Sequence, residues 1–197
     1  MIRNVLPVTT LHTTPPKSSS AADTTAEINQ LDFGLFTRLT LMAVRLAVGL
    51  LWVQNVNWKH PPLFGRPNNA DLYEYTRDAV THPVLPPFAW AVKTVVLPNF
   101  TIFGYLTLIL EFGLAVFLLA GLLTRLAGTI ALLQTFAITF SALFAPGEWQ
   151  WSYYLMIAIH LVLITTAAGR TGGLDGLLRP RWARSDSTIS RLLLRLS

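Results

Sequence analysis

Four strongly polar residues lie inside apolar stretches of the sequence and are the first candidates for chemistry. They are Arg45, Glu111, Gln134 and His160, one in each of four apolar segments. An ionised side chain at the centre of a membrane-spanning helix costs about 2.5–3.5 kcal/mol on insertion scales, so such residues are usually paired and often functional. We therefore expect Glu111 to face Arg45 inside a helix bundle, as an ionised carboxylate beside a cation.

The four residues are also expected to share one layer of the bundle. Counted from the same end at about 1.5 Å per residue, their Cα atoms lie at depths of about 12, 18, 15 and 14 Å. One interpretation is a site for a polarisable ligand such as a quinone, or a proton relay, with Trp52 and Tyr154 beside the ring and His160 exchanging a proton. The other is structural, with interhelical hydrogen bonds and an ion pair that fix the helix register.

The composition favours a membrane as the host of these segments. Of 197 residues, 52% are hydrophobic and 13% are charged, against about 25% charged in an ordinary soluble domain. The net charge is +5, and its basic residues cluster at helix ends and in the tail. That placement suits anionic lipid headgroups, so membrane lipid rather than nucleic acid is the expected partner.

Several kinds of cofactor are not expected in this chain. The sequence contains no cysteine, which excludes disulfides, cysteine-ligated iron–sulfur clusters and attached c-type haem. Its four histidines, at positions 12, 60, 82 and 160, show no metal-ligand spacing, so no metal site is expected either.

The apolar segments predict an all-α membrane protein with a bundle of four transmembrane helices. They cover roughly residues 37–57, 100–123, 124–145 and 149–169, each close to the roughly 20 residues that a spanning helix needs. The loop between the first two helices is expected to be helical and extracytoplasmic. It contains NNADLYEYTRDAV, a helix that Asn69 could cap, and PFAWAVKTVVLP, with the apolar stripe of an interfacial helix.

The distribution of Lys and Arg predicts the orientation. One side carries most of them, namely Arg3, Lys17, Arg38, Arg125, Arg170, Arg179, Arg181, Arg184, Arg191 and Arg195. The opposite side carries Lys59, Arg66, Arg77 and Lys93 together with several acidic residues. We therefore expect a multi-pass protein of the cell membrane with both termini in the cytoplasm.

Three regions follow from this organisation. Residues 1–36 are polar, with many Ser and Thr, and predict a disordered arm. Residues 37–178 hold the four helices. Residues 179–197 predict a basic amphipathic tail on the cytoplasmic leaflet, in which Ile189, Leu192, Leu193 and Leu196 share one face.

Four stretches of the sequence carry a resemblance to a known family. They are RLAVGLLWVQNVNWKHP, LEFGLAVFLLAGLLTRLAG, EWQWSYYLMIAIHLVLITTAAGR and the closing GRTGGLDGLL. In combination they resemble the DoxX/DoxD family of small four-helix membrane proteins, which includes the small subunit of thiosulfate:quinone oxidoreductase. The resemblance covers roughly residues 37–178.

The resemblance implies a membrane subunit that works beside a redox partner and passes electrons to a quinone. Arg45, Lys59, Glu111, Arg170 and Asp175 fall on the polar positions of the family. An alternative is a non-catalytic protein that assembles or anchors redox partners at the membrane. A small transporter or proton path is a third hypothesis, which the lack of an inverted repeat in the sequence disfavours.

Overall fold

The computed structural model of this chain describes residues 34–197, and every regular element in that range is helical. The predicted disordered arm, residues 1–36, lies almost wholly outside the described residues. We number the α-helices in chain order: α1 Leu35–Asn57, α2 Asp71–Thr81, α3 Pro86–Ala91, α4 Phe100–Ala120, α5 Thr124–Ala142, α6 Gln150–Thr166, α7 Leu174–Ala183 and α8 Thr188–Leu196. A π-helical segment, Val92–Val96, continues α3.

Four apolar helices, α1, α4, α5 and α6, form the body of the described chain. Helices α1, α4 and α5 are long and apolar enough to cross a membrane, whereas α6 is apolar but shorter, with 17 residues. Helix α1 packs mainly on α4, and α5 mainly on α6. Their bounds lie within a few residues of the predicted segments, because long apolar runs bounded by polar residues are easy to locate. Four membrane crossings stay a prediction.

The core lies where these helices meet, and large apolar side chains also cover the outside. Trp52, Leu118 and Leu163 are buried in the core, while Ile109 and Phe112 of α4 are exposed. Apolar side chains on both the inner and the outer faces are expected of helices surrounded by lipid. The exposed faces therefore agree with a membrane environment.

At one end of the body, which we call the loop end, α2, α3 and the π-helical segment cover the helices. Phe64 is fully buried there, with its ring centroid 5.1 Å from that of Tyr105. Asn69 does not cap α2 as predicted. The helix begins at Asp71 after Ala70 in an extended conformation, and Asn69 itself is left-handed, with φ of 49°.

At the other end, the tail end, α7 and α8 pack on each other. Ser187 caps α8 by accepting a hydrogen bond from the Ser190 amide. Arg179 donates to the Leu194 carbonyl at 2.6 Å and to Ser197 Oγ at 2.6 Å, so an arginine holds the C-terminal turn of α8 to α7. Ile189 and Leu192 remain exposed on α8. The predicted tail boundary, residue 179, falls inside α7.

Candidate functional site

A buried ion pair joins the loop end of α1 to the middle of α4. The Lys59 ammonium donates to Glu111 Oε2 at 2.6 Å, and both side chains are almost fully buried, at 2% and 1% exposure. Lys59 follows the last turn of α1, and its side chain also donates to the Asn55 carbonyl at 2.5 Å. It thereby satisfies a carbonyl that the end of the helix leaves free. Its ammonium lies 4.2 Å from the centroid of the Trp58 ring, a cation–π distance.

Two amides complete the surroundings of the Glu111 carboxylate. Gln134 Nε2 of α5 donates to Glu111 Oε1 at 3.0 Å. The Asn55 side chain also approaches the carboxylate, but its buried Nδ2 makes no hydrogen bond of good geometry within residues 34–197. The carboxylate therefore meets a cation and an amide, and one buried donor beside it stays unsatisfied.

The predicted pair of Glu111 with Arg45 is wrong. Arg45 is buried, but its guanidinium donates to the backbone carbonyls of Leu118, Leu119 and Gly172, the last two at 2.8 and 3.3 Å. Leu118 lies about 10 Å further along α4 than Glu111, at about 1.5 Å per residue. The carbonyls at a helix C-terminus lack intrahelical partners and carry partial negative charge, so they attract a cation. Arg45 therefore caps the C-terminus of α4.

Asp175 plays the complementary role at the start of α5. Its two carboxylate oxygens accept from the amides of Leu123 and Thr124 at 2.7 and 2.9 Å, and its own amide donates to the Gly121 carbonyl at 2.9 Å. A carboxylate at a helix N-terminus satisfies free amides and the positive end of the helix dipole. Arg45 and Asp175 thus hold the tight turn between α4 and α5 from its two sides.

The turn itself requires a glycine. Gly121 ends α4 with φ of 64°, a left-handed conformation that glycine adopts without steric cost. A Cβ at this position would lie 2.8 Å from the Arg45 guanidinium. Arg170, the remaining family position, lies near this turn and donates to the Ser197 carbonyl at 3.0 Å. The polar residues at the tail end therefore stabilise the turn and the C-terminal tail.

His160 is buried in a separate cluster with Trp52. The indole Nε1 of Trp52 donates to His160 Nε2 at 3.1 Å, and His160 Nδ1 lies 2.6 Å from the Met156 carbonyl, with Thr135 Oγ1 also near, at 3.3 Å. Because indole is only a donor, Nε2 accepts and Nδ1 carries the proton, which makes the imidazole neutral. Both ring nitrogens are thus satisfied by the protein. Tyr154, the other predicted ring neighbour, is 54% exposed.

A partly enclosed cavity of about 510 Å³ lies directly over the Lys59–Glu111 pair at the loop end. Asn55, Lys59, Glu111 and Gln134 line its polar floor, but His160, Trp52, Arg45 and Tyr154 belong to other parts of the described chain. The walls are mostly apolar and come from the loop segments as well as from the long helices; they include Phe88, Val92, Val96, Phe100, Gly104 and Ile138. The apolar stripe that the sequence shows in residues 87–98 therefore covers this cavity.

A second polar group lines the cavity nearer the loop-end surface. The Tyr153 hydroxyl donates to Glu148 Oε2 at 2.5 Å, and Tyr75 of α2 lies beside the same carboxylate. Burial, and then the negative charge of Glu148, raise the pKa of Tyr75, so its phenol stays protonated and can donate a hydrogen bond. The cavity thus has polar groups on its floor and near its mouth, separated by apolar walls.

Of the residues named from the sequence, the structure brings Glu111 and Gln134 together, and separately Trp52 and His160. Lys59 joins Glu111, a contact that neither hydropathy nor helix period predicts, because Lys59 follows the last turn of α1 and reaches inward. Asn55, Tyr75, Glu148 and Tyr153 were missed. Only Asn55 carried a sequence signal, being a polar residue one turn before Lys59 in an apolar helix.

Comparison with known proteins identifies the family of the chain. A family model described as "TQO small subunit DoxD" matches residues 40–196, which is most of the 197-residue chain. No curated protein and no solved structure gives a match. The matched range includes α4, α5, α6 and all but the first five residues of α1, together with both turn-capping residues and the Lys59–Glu111 pair. The resemblance drawn from the four sequence stretches is thereby confirmed, and the chain belongs to the DoxD family.

Proposed function

We propose that this protein is the membrane subunit of a quinone-linked oxidoreductase of the thiosulfate:quinone type, and that the loop-end cavity binds the quinone ring. The observation that carries the proposal is the buried Lys59–Glu111 pair on the floor of a mostly apolar cavity. Small-molecule sites are typically clefts of about 300–1,000 Å³ with apolar walls and a few polar groups that fix orientation. At about 510 Å³, this cavity has that size and character.

The residues present suit a quinone, which carries hydrogen-bond acceptors at opposite ends of a flat apolar ring. On the floor, the unsatisfied Asn55 Nδ2 and the Lys59 ammonium are donors for one carbonyl oxygen. Near the mouth, the Tyr75 hydroxyl is a donor for the other, whereas the single proton of the Tyr153 hydroxyl is already donated to Glu148. Phe88 and Phe100 line the space between these groups and suit the faces of the ring.

A bound quinone supplies a two-electron, two-proton acceptor, and the electrons come from a redox partner. The residues of this chain bind the ring, exclude water from it and hold protons near it. Lys59 Nζ and Glu111 Oε2 share a hydrogen bond on the floor, and Tyr153 shares one with Glu148 near the mouth. Glu148 lines the cavity and is partly exposed, so it can exchange protons with water.

The proposal places the protein in the cell membrane with four crossings and both termini in the cytoplasm. The tail end, with Arg125, Arg170 and the arginines of α7 and α8, then faces the cytoplasm, following the excess of basic residues there. The cavity and its covering helices lie toward the opposite side. Quinone exchange and proton exchange would occur in that half of the bilayer.

Saturation binding of a short-tailed, soluble quinone to the purified protein tests the proposal. Asn55→Leu should weaken binding by about tenfold, since a net hydrogen bond is worth about 0.5–1.5 kcal/mol and 1.4 kcal/mol is a factor of ten. Asn57→Leu is the matched control, because Asn57 is exposed on the same turn of α1 and should leave affinity unchanged. Absence of binding, or equal loss in both variants, would contradict the proposal.

The alternative function is assembly or anchoring of redox partners without a ligand. The exposed apolar side chains of Ile189 and Leu192 on the basic helix α8 favour it, because such a face can contact a membrane surface or a partner. Co-purification followed by extraction of lipid-soluble cofactors separates the two functions. A partner complex that holds no quinone would support the assembly role.

A further inference from the structure

A second, open groove lies on the outer face of the bundle between α3 and α5. Its volume is about 450 Å³, and it is lined by Phe88, Leu133, Phe136, Ala137 and Phe140. No strongly polar side chain is among these five residues. The surface of the groove is therefore apolar.

The groove adjoins the loop-end cavity. Phe88 and Ala137 line both spaces, so the cavity and the outer groove meet at these two residues. Ala137 has the smallest side chain that a non-glycine residue can contribute, and Phe88 comes from α3, a helix of only six residues. These two residues thus mark where the two spaces adjoin.

Aromatic side chains that line the groove pack against one another, and Leu133 is exposed on its outer side. The Phe88 and Phe140 rings have centroids 5.6 Å apart at 60°, and the Phe136 and Phe140 rings are stacked at 6.0 Å. Leu133 is 64% exposed on α5, a helix long and apolar enough to cross a membrane. The outer side of the groove is therefore open to the hydrocarbon region.

We propose that this groove is the subsite for the isoprenoid tail of the quinone whose ring lies in the cavity. The inference rests on the proposed function, since it needs a ring in the cavity. A ligand dissolved in the bilayer has to keep its tail in an apolar environment, and the mouth near Glu148 and Tyr75 is polar. The apolar residues Phe88 and Ala137 mark the boundary where the ring site adjoins the groove. Ring and tail thus occupy adjoining spaces, and the bonds that join them pass beside Phe88 and Ala137.

If the groove holds the tail, the affinity of the protein for a quinone should increase with the length of the quinone's tail. With the intact protein in detergent, two quinones with the same ring are compared, one with a single isoprene unit and one with three or more. The longer tail should bind at least about tenfold more tightly, because each additional buried apolar group adds to the free energy of binding. Leu133→Ala and Phe136→Ala should each reduce that preference and leave the affinity for the short-tailed quinone unchanged.

Phe112→Ala is the matched control. Phe112 is an exposed phenylalanine, at 60%, on α4 and outside the groove, so its removal should change neither affinity. Leu133 is also exposed, so Leu133→Ala is expected to fold even if Phe136→Ala does not. The tail subsite would be refuted if the unaltered protein bound the two quinones equally well. It would also be refuted if Leu133→Ala and Phe136→Ala left the preference for the longer tail unchanged. Neither result would contradict the ring site in the cavity. Failure of both quinones to bind would overturn the proposed function and the groove together.

Discussion

At the scale of single residues, the described chain separates its buried charges into two groups with different roles. Glu111 is paired with Lys59 under the cavity, and Arg45 is held by the carbonyls at the end of α4. The sequence could show that these charges need partners, because an unpaired charge in an apolar segment is costly. The sequence could not show which cation pairs with Glu111, because Lys59 lies beyond the end of its helix and reaches Glu111 through a long side chain.

A double-mutant cycle tests the Lys59–Glu111 contact. Lys59→Met leaves a buried carboxylate without its cation and should cost about 3–5 kcal/mol of stability. Adding Glu111→Leu should recover part of that loss, because the uncompensated charge is removed with its partner. The measurement is the unfolding free energy of the purified protein in detergent for the two single variants and the double variant.

The pair Arg45→Leu and Glu111→Leu is the control for this cycle. These residues contact different groups, so the two losses of stability should add within about 0.5 kcal/mol, as they do for independent sites. A coupling between Arg45 and Glu111 as large as that between Lys59 and Glu111 would refute the assignment of partners.

At the scale of elements, the tight turn between α4 and α5 is stabilised by residues from other parts of the chain. Arg45 of α1 caps the end of α4, and Asp175 of α7 caps the start of α5. The helices themselves follow from apolar runs in the sequence, and their bounds could be predicted. The caps could not, because they join residues far apart in the chain and appear in the sequence only as single polar positions.

Asp175 should therefore be the most sensitive position of the tail-end turn. Asp175→Ala removes the acceptors of two helix amides and should lower stability by about 1–2 kcal/mol. Asp186→Ala, at an exposed position between α7 and α8, is the matched control and should have little effect. Thermal unfolding of the two variants beside the unaltered protein measures the difference, and similar midpoints for all three would argue against the cap.

Helix α8 should contact the membrane surface. Its exposed Ile189 and Leu192 lie on a helix that also carries Arg191 and Arg195, and each basic residue near an anionic surface is worth about 1 kcal/mol. Hydrogen exchange of the α8 amides should be slower in anionic than in neutral nanodiscs. The charge reversals Arg191→Glu and Arg195→Glu together should abolish that difference. Equal hydrogen-exchange rates of the α8 amides in anionic and neutral nanodiscs, measured on the unaltered protein, would refute the contact.

At the scale of the whole molecule, the described chain is a body of apolar helices with one end covered by loop helices and the other closed by the tail helices. The helical class and the family could be predicted from composition and the four sequence stretches. The cavity could not, because α2, α3 and the π-helical segment form its cover only after they fold back over α5. The basic residues of the tail end predict its side of the membrane.

The topology can be measured directly. Reporter fusions placed after Asn69 in the loop end and after Ser185 in the tail end should report opposite sides of the membrane, with Ser185 in the cytoplasm. The expectation follows from the excess of Lys and Arg at the tail end. Finding the two reporters on the same side would rule out four crossings with this orientation.

The central claim is that the quinone ring lies over Lys59 and Glu111 in the loop-end cavity. Photolabelling with a ring-linked photoreactive quinone, followed by peptide mapping, tests it most directly. We expect labels on segments that line the cavity, residues 88–96 and 100–111, and loss of the label when unmodified quinone competes. Labels concentrated around Trp52 and His160, or labels that quinone does not displace, would contradict it.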